Sequence, residues 1–221
     1  MLMSLRQYEY ACRNSSTGPK KNFLLMKDFV PETYCVDDMR DRVQFLSTLT
    51  DGQVWIYKPS GMNQGKGIQL IRGKGDFERL QEDCVEEWRR NPGTVRPRIL
   101  QRYIDQPLLL EGRKFDIRCY LLIASAMPFL VLFHPGYVRV CTRKYDVNSY
   151  DLLVHLTNQY IQKKDPNYSK LKEDTVWSMD RFNDYVNANY LEEKKIEQDW
   201  VKTTLMASSL LIFLILRGLL I

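Results

Sequence analysis

The first clear periodic signal opens at Asp38, where Met39, Val43, Phe45, Leu46 and Leu49 recur behind a capping aspartate and stop at Asp51 and Gly52. That spacing predicts an amphipathic helix. Directly after it the pattern changes. Residues 54–58 (VWIYK) are rich in strand formers, residues 59–67 (PSGMNQGKG) are punctuated by glycine, and Ile68 to Ile71 resumes an apolar run. A strand, a glycine-rich turn and a second strand are predicted there. From Asp76 the positions Phe77, Leu80, Cys84 and Trp88 are again helical, with Pro92 and Gly93 as the stop. Ile99 to Ile104 predicts a short strand, and Phe115 to Ala124 and Phe129 to Phe133 longer ones. His134, Pro135 and Gly136 are expected to end the last of these, with Tyr137 to Cys141 completing a meander. Asp180 to Trp200 reads as one helix with Phe182, Tyr185, Val186 and Tyr190 inward and a charged outer face. Ser15 to Lys21 reads as a loop, the first thirty-odd residues look peripheral, and no internal repeat is visible.

The pattern breaks at the end of the chain. Residues 205–216 (LMASSLLIFLIL) are apolar on every side, and Arg217 separates them from the last four residues, GLLI. This stretch falls short of the ~20 apolar positions that cross a bilayer. The favoured expectation is an aberrant or alternative terminus, with membrane contact through the tail as the lesser reading.

Composition narrows the classes. With 221 residues, 44% hydrophobic and 12% aromatic, the chain can bury a core of one large domain or two intimate lobes. Lys+Arg number 32 against 27 Asp+Glu, a net charge of +5 that suits an acidic partner without requiring nucleic acid, and none is expected. Five cysteines without a CxxC pair indicate neither a disulfide framework nor a zinc knuckle, so a reducing, cytoplasmic setting is expected. His134 and His155, the only histidines, are too few for a metal site or a triad and read as structural. The N-terminus, with Arg6 and Glu9, has no apolar signal core, so no secretion is expected.

Candidate chemistry gathers in the middle. The segment 58–68 has no GxxxxGK[ST] register and is followed by a predicted strand, which excludes a P-loop. A glycine-bearing hairpin can still lay backbone N–H groups over a polyphosphate, with Gln64, Gly65, Lys66 and Gly67 at its tip and Lys58 on the strand entering it. Taken alone, a surface turn with a solvated lysine fits as well. Strand alternation in KFDIR puts Lys114, Asp116 and Arg118 on one face. Two cations and a carboxylate there call for a phosphate counter-charge. The competing reading is a self-contained Asp116 ion pair on an exposed face.

In series, residues 58–68, the QRYI of Gln101 to Ile104, KFDIR, Arg139 and the HLTN of His155 to Asn158 resemble the tubulin tyrosine ligase-like family of ATP-grasp amino-acid ligases, from about Phe23 to Trp200. Residues around Lys114 and Tyr160 are most similar to its protein polyglycylases. The resemblance implies an α/β fold in which two lobes clamp ATP. It makes Lys58, Gln64, Gly65, Lys66 and Gly67 nucleotide contacts from the lid, and Gln101, Arg102, Tyr103 and Ile104 the adenine hinge. Lys114, Phe115, Asp116, Thr157 and Asn158 then face ATP, Arg139 holds the incoming amino acid or reacting phosphate, and Gln64 also reaches the protein acceptor. Lys58, Lys114, Arg118 and Arg139 would offset charge along an acyl-phosphate route, in which an acceptor carboxylate attacks the γ-phosphate and an amine then attacks the mixed anhydride.

The implied activity is protein–glycine ligation on glutamate side chains of tubulin or another acidic protein, in a cytoskeletal or ciliary setting. A tubulin polyglutamylase, or a catalytically dead ATP- or tubulin-binding fragment or splice product, is the alternative. The family's Mg²⁺ ligands, an aspartate and a Glu-x-Asn pair on later strands, have no counterpart after Asn158, so an incomplete C-terminal lobe and little catalysis are expected. The organisation expected is a peripheral segment 1–38, a lid lobe with hinge 39–104, a partial central lobe 105–202 and an apolar tail 203–221.

Overall fold

The computed structural model describes residues 2–14, 25–91 and 97–208. The expected loop at Ser15 to Lys21, the stop at Pro92 and Gly93 and the tail beyond residue 208 lie outside them. The first half contains α1 (Leu2–Arg13), α2 (Met26–Phe29), β1 (Thr33–Cys35), α3 (Met39–Thr48), β2 (Trp55–Pro59), β3 (Gln69–Ile71), α4 (Lys74–Arg90) and β4 (Arg98–Arg102). The second contains β5 (Leu109–Leu110), β6 (Arg113–Ala126), β7 (Phe129–Lys144), α5 (Leu152–His155), α6 (Gln159–Gln162), α7 (Tyr168–Leu171), a 3-10 turn at Lys172–Thr175, β8 (Val176–Ser178) and α8 (Met179–Lys194). The strands form two four-stranded antiparallel sheets, in the orders β1-β4-β2-β3 and β5-β6-β7-β8. Each carries helices on a face, the mixed α/β class expected and consistent with a partial ATP-grasp fold.

Burial explains the first sheet. Trp55 and Tyr57 of β2 pack with Tyr34, Phe45, Ile71, Phe77, Leu80 and Leu100 beneath α3 and α4. Val54 and Ile56 point the other way and join Leu70, Tyr103, Leu156 and Ile161 in a second layer. A strand buried on both faces needs no polar alternation, which is why residues 54–57 (VWIY) show none. Lys58 has the parity of Val54 and Ile56, so β2 sends its amine toward the second half of the chain. Asp38 caps α3 as expected, accepting from the backbone N–H groups of Arg40 and Asp41 at 2.8 and 3.1 Å. The leading segment is more than peripheral. Its β1 is an edge strand of the first sheet, and Arg6 of α1 pairs with the buried Asp41 at 2.7 Å.

Two expectations for the second half are corrected. His134, Pro135 and Gly136 do not end a strand, because β7 runs on from Phe129 to Lys144 against β6 as one long hairpin. The register shifts between Arg118 and Tyr120, and the extra residue on β7 is absorbed there as a bulge. Gly136, at φ +69°, permits it: a Cβ would stand 1.7 Å from the Arg118 carbonyl oxygen. The helix expected to reach Trp200 stops at Lys194. Lys195 takes the left-handed conformation at φ 52°, and the Ile196 N–H closes onto the Leu191 carbonyl at 3.1 Å, a Schellman closure. The chain turns there, Ile196 and Val201 reach the core formed by Val138, Val140, Trp177, Phe182 and Val186, and helix resumes over 200–208. Leu205, at the start of the apolar tail, packs against this core. Among the described residues no helix is long and apolar enough to cross a membrane.

Candidate functional site

Phe115 and Ile117 of β6 and Val138 and Val140 of β7 belong to the α8 core. Strand alternation turns Asp116 and Arg139 to the opposite face of the second sheet. Lys114 stands beyond a register shift at the start of β6, with Asp116 and Cys141 close enough for their charges to act on it. The charge of Lys58, from the first sheet, bears on the same amine. Cations from both sheets therefore come close enough to act on each other.

Each lysine has a neutral partner. Lys58 donates to the Gln101 side-chain oxygen at 2.7 Å, and the Gln101 amide in turn donates to Thr33 Oγ1 at 2.9 Å. Lys114 donates to the Tyr103 hydroxyl at 2.6 Å, with its ammonium 4.2 Å from that ring's centre. Among the described residues neither amine has a carboxylate within ion-pair distance. Burial lowers the pKa of Lys58. For Lys114 burial is again the main cause and Lys58 adds to it, so its pKa falls to about 8 despite the opposing pull of Cys141 and Asp116. Buried Cys141 on the same face has its thiol pushed up to about 12, chiefly by its burial.

Asp116 and Arg139 behave differently. They are directly opposed across β6 and β7, and the guanidinium grips the carboxylate with two bonds, Nε to Oδ1 at 2.9 Å and a shorter one from Nη2 to Oδ2. The self-contained ion pair, the competing expectation from the KFDIR pattern, is the one that forms, though in a partly buried setting rather than on an open face. Arg118 is not gathered with the lysines. It is exposed, with its guanidinium 5.8 Å from the Tyr120 ring centre. The Phe115 side chain lies 5.3 Å from Phe182 in the core, away from the cleft.

The glycine-rich loop packs onto the segment around Asn158. Gln64, Gly65 and Gly67 have φ of 62°, 80° and 71°, and Gly65 is buried while Gln64, Lys66 and Gly67 are exposed. A Cβ on Gly65 would come within 3.1 Å of Ile161 Cγ1 and 3.2 Å of Asn158 Oδ1, so the backbone lies directly on the LTN segment. Lys66 sits 5.0 Å from the Tyr160 ring centre, which Lys164 also approaches at 5.1 Å. Thr157 is buried, and Asn158 caps α6 through its carbonyl, accepting from Ile161 and Gln162 at 2.8 and 3.0 Å. The fully buried Gln162 fixes this segment to β7: it accepts from the Thr142 N–H at 2.7 Å and donates to the carbonyls of Leu153 and Leu156 at 3.0 and 2.6 Å.

In the segment expected to form the hinge, Tyr103 is buried with its N–H on the Val54 carbonyl at 2.9 Å. Arg102 stacks 4.6 Å from the Trp55 ring centre, and Ile104 is exposed. His155, read from sequence as merely structural, is buried with Nδ1 2.8 Å from the Tyr103 hydroxyl. Its partner is 52 residues away, so no local pattern signalled it.

The arrangement suits a polyanion: two half-buried cations with neutral neighbours, under a loop whose backbone can approach closely. It does not suit a metal. Among the described residues no three His, Cys, Asp or Glu side chains stand together, and Asp116 is held by Arg139.

Comparison with known proteins adds to this geometry. The sequence model of the Tubulin-tyrosine ligase family matches residues 3–210. The chain is 46% identical over 188 residues to the protein polyglycylase TTLL10 of Macaca fascicularis, covering 82% of this chain and 30% of that protein. It is 44% identical over 188 residues to the inactive polyglycylase TTLL10 of Homo sapiens, covering 82% and 28% respectively. To the probable alpha-tubulin polyglutamylase Ttll1 of Tetrahymena thermophila it is 32% identical over 183 residues, 81% of this chain and 43% of that one. The chain thus spans less than half the length of each of these relatives.

Proposed function

The chain belongs to the tubulin-tyrosine ligase family, and on that premise we propose that its cleft binds ATP and serves a protein–glycine ligase acting on glutamate side chains of tubulin or another acidic protein. The observation that carries the reading is the meeting of Lys58 and Lys114, drawn from separate sheets, half-buried and without a carboxylate counter-charge. Half-buried unpaired cations cost stability unless a ligand neutralises them, and a triphosphate under the glycine-rich loop does so. Gln64 to Gly67 would supply backbone N–H groups, Gln101 to Ile104 the edge for adenine, and Thr157 and Asn158 the floor beneath the loop. Arg139, released from Asp116, would hold the carboxylate of the incoming amino acid. Glycine is preferred over glutamate because identity to the polyglycylase is 46% against 32% for the polyglutamylase. Tubulin as acceptor, and with it a cytoskeletal setting, follows from what the polyglutamylase is named for.

The test is incubation of the full chain with ATP, Mg²⁺, labelled glycine and tubulin. Label on tubulin supports ligation by this chain, and its absence beside an active longer relative contradicts it. A second reading, a nucleotide- and tubulin-binding protein without ligase activity, is favoured by two observations. The human relative is named inactive, and the described residues form no Mg²⁺ site. Nucleotide binding with no label transferred supports that reading over the first.

A further inference from the structure

A line of three short hydrogen bonds runs behind Lys114. Its ammonium lies 2.6 Å from the Tyr103 hydroxyl, that hydroxyl 2.8 Å from His155 Nδ1, and His155 Nε2 2.7 Å from the Ser149 carbonyl oxygen. The far end sets the direction of every proton. A carbonyl oxygen only accepts, so Nε2 carries the hydrogen, and in a neutral imidazole Nδ1 is then an acceptor. Tyr103 must donate to Nδ1, which leaves its oxygen lone pairs facing the ammonium of Lys114, a group that can only donate. The other tautomer would set a bare Nε2 against the Ser149 carbonyl oxygen, two acceptors facing each other.

The surroundings hold this arrangement. His155 is 2% exposed, and its ring meets Tyr103 and Tyr145 edge-on, each at 5.6 Å between centres. Burial lowers its pKa, with Lys114 and Arg72 acting in the same direction and the Ser149 carbonyl and Asp146 against it. Arg72 also donates to the Ser149 carbonyl at 2.7 Å, fixing the acceptor. Around Lys114 the other charged or titratable groups are Lys58 on β2, Asp116 on β6, Cys141 on β7, and Tyr103 and Tyr145.

We propose that His155 is a positioning residue: acting through Tyr103, it holds the ammonium of Lys114 toward the cleft and keeps it charged beside Lys58. The proposal gives a role in ATP binding to a histidine outside the cleft. It joins α5, the end of β4 and the start of β6, and Lys58 of β2 reaches the same β4 through Gln101. The functional importance of Lys114 rests on the ATP-binding reading, but the relay itself can be tested without nucleotide.

The test follows acetylation of Lys114 in the full chain from pH 6 to 10, read by peptide mass spectrometry with an amine-reactive ester and no nucleotide present. The half-reaction point is expected near pH 8, matching the pKa of about 8. Tyr103→Phe removes the acceptor that favours the ammonium, and His155→Phe weakens it. Both should move the midpoint to lower pH, by about half to one unit, with Tyr103→Phe the larger. His155→Gln retains one acceptor and one donor and should restore the midpoint, and Val154→Ala, a packing change on the same helix, should leave it in place. In the unmodified chain, nitrogen-15 spectra of the two imidazoles should show His155 protonated on Nε2 alone at neutral pH; this holds whether or not a variant folds. An Nδ1-protonated His155, a His155→Phe midpoint equal to wild type, or a Val154→Ala shift as large as that of His155→Phe overturns the proposal. Failure of the chain to bind ATP would leave all of these results standing, so the two readings fail separately.

Discussion

Two charged pairs share one cleft and differ in what they lack. Asp116 and Arg139 face each other across neighbouring strands and satisfy each other with a two-bond grip. Lys58 and Lys114 come from different sheets, carry the same sign, and rest on an amide oxygen and a phenol. A closed ion pair stabilises the fold but offers little to a ligand until it opens, whereas the lysines are a standing cost that a polyanion removes. On the proposed ATP-binding reading the second pair would mark the site, and substitutions at the two pairs should separate binding from stability.

The largest effect belongs to the lysines. Lys58→Met or Lys114→Met should each weaken binding of an ATP analogue about thirty- to a hundredfold, the worth of a charge-assisted contact, in a calorimetric titration. Neither should lower the urea midpoint, because an unpaired cation has been removed. Arg139→Ala should do the reverse. Leaving the Asp116 carboxylate alone should cost about 1–2 kcal/mol in urea unfolding, at the low end because Asp116 is 38% exposed. A stability loss for Lys114→Met as large as that for Arg139→Ala would erase the distinction.

Smaller effects sharpen it. Only protonated Lys114 attracts phosphate, and its pKa is lowered to about 8, chiefly by burial. Analogue affinity should accordingly fall as pH rises through 8, by about tenfold between pH 7 and pH 9, and Lys114→Met should flatten that profile. Smallest is Gly65→Ala. A methyl group at φ +80°, pressed to 3.1–3.2 Å from Ile161 and Asn158, should lift the loop and weaken binding about fivefold with little change in the lysines.

Legibility in the sequence depends on how local each feature is. The helix behind Asp38, the both-faces-buried β2 and the alternation of KFDIR were readable because a single strand or helix decides them. The partner of Asp116 was not, since strand register decides it and KFDIR alone carries no register. Pro135 and Gly136 looked like a strand end because glycine and proline usually are one; here Gly136 is needed where two backbones nearly touch. The charged run after Lys194 looked helical from composition, but the pull of Ile196 and Val201 into the core turned the chain. His155 and Tyr103 meet only in three dimensions, so their bond had no signature in either segment.

The central proposal is that Lys58 and Lys114 together bind a polyphosphate. Calorimetry on the full chain with a non-hydrolysable ATP analogue, for wild type and for the Lys58→Met/Lys114→Met double variant, tests it most directly. The account predicts a saturable heat of binding in the first and none in the second. Absence of heat from folded wild-type chain, or equal heats from both, would contradict it.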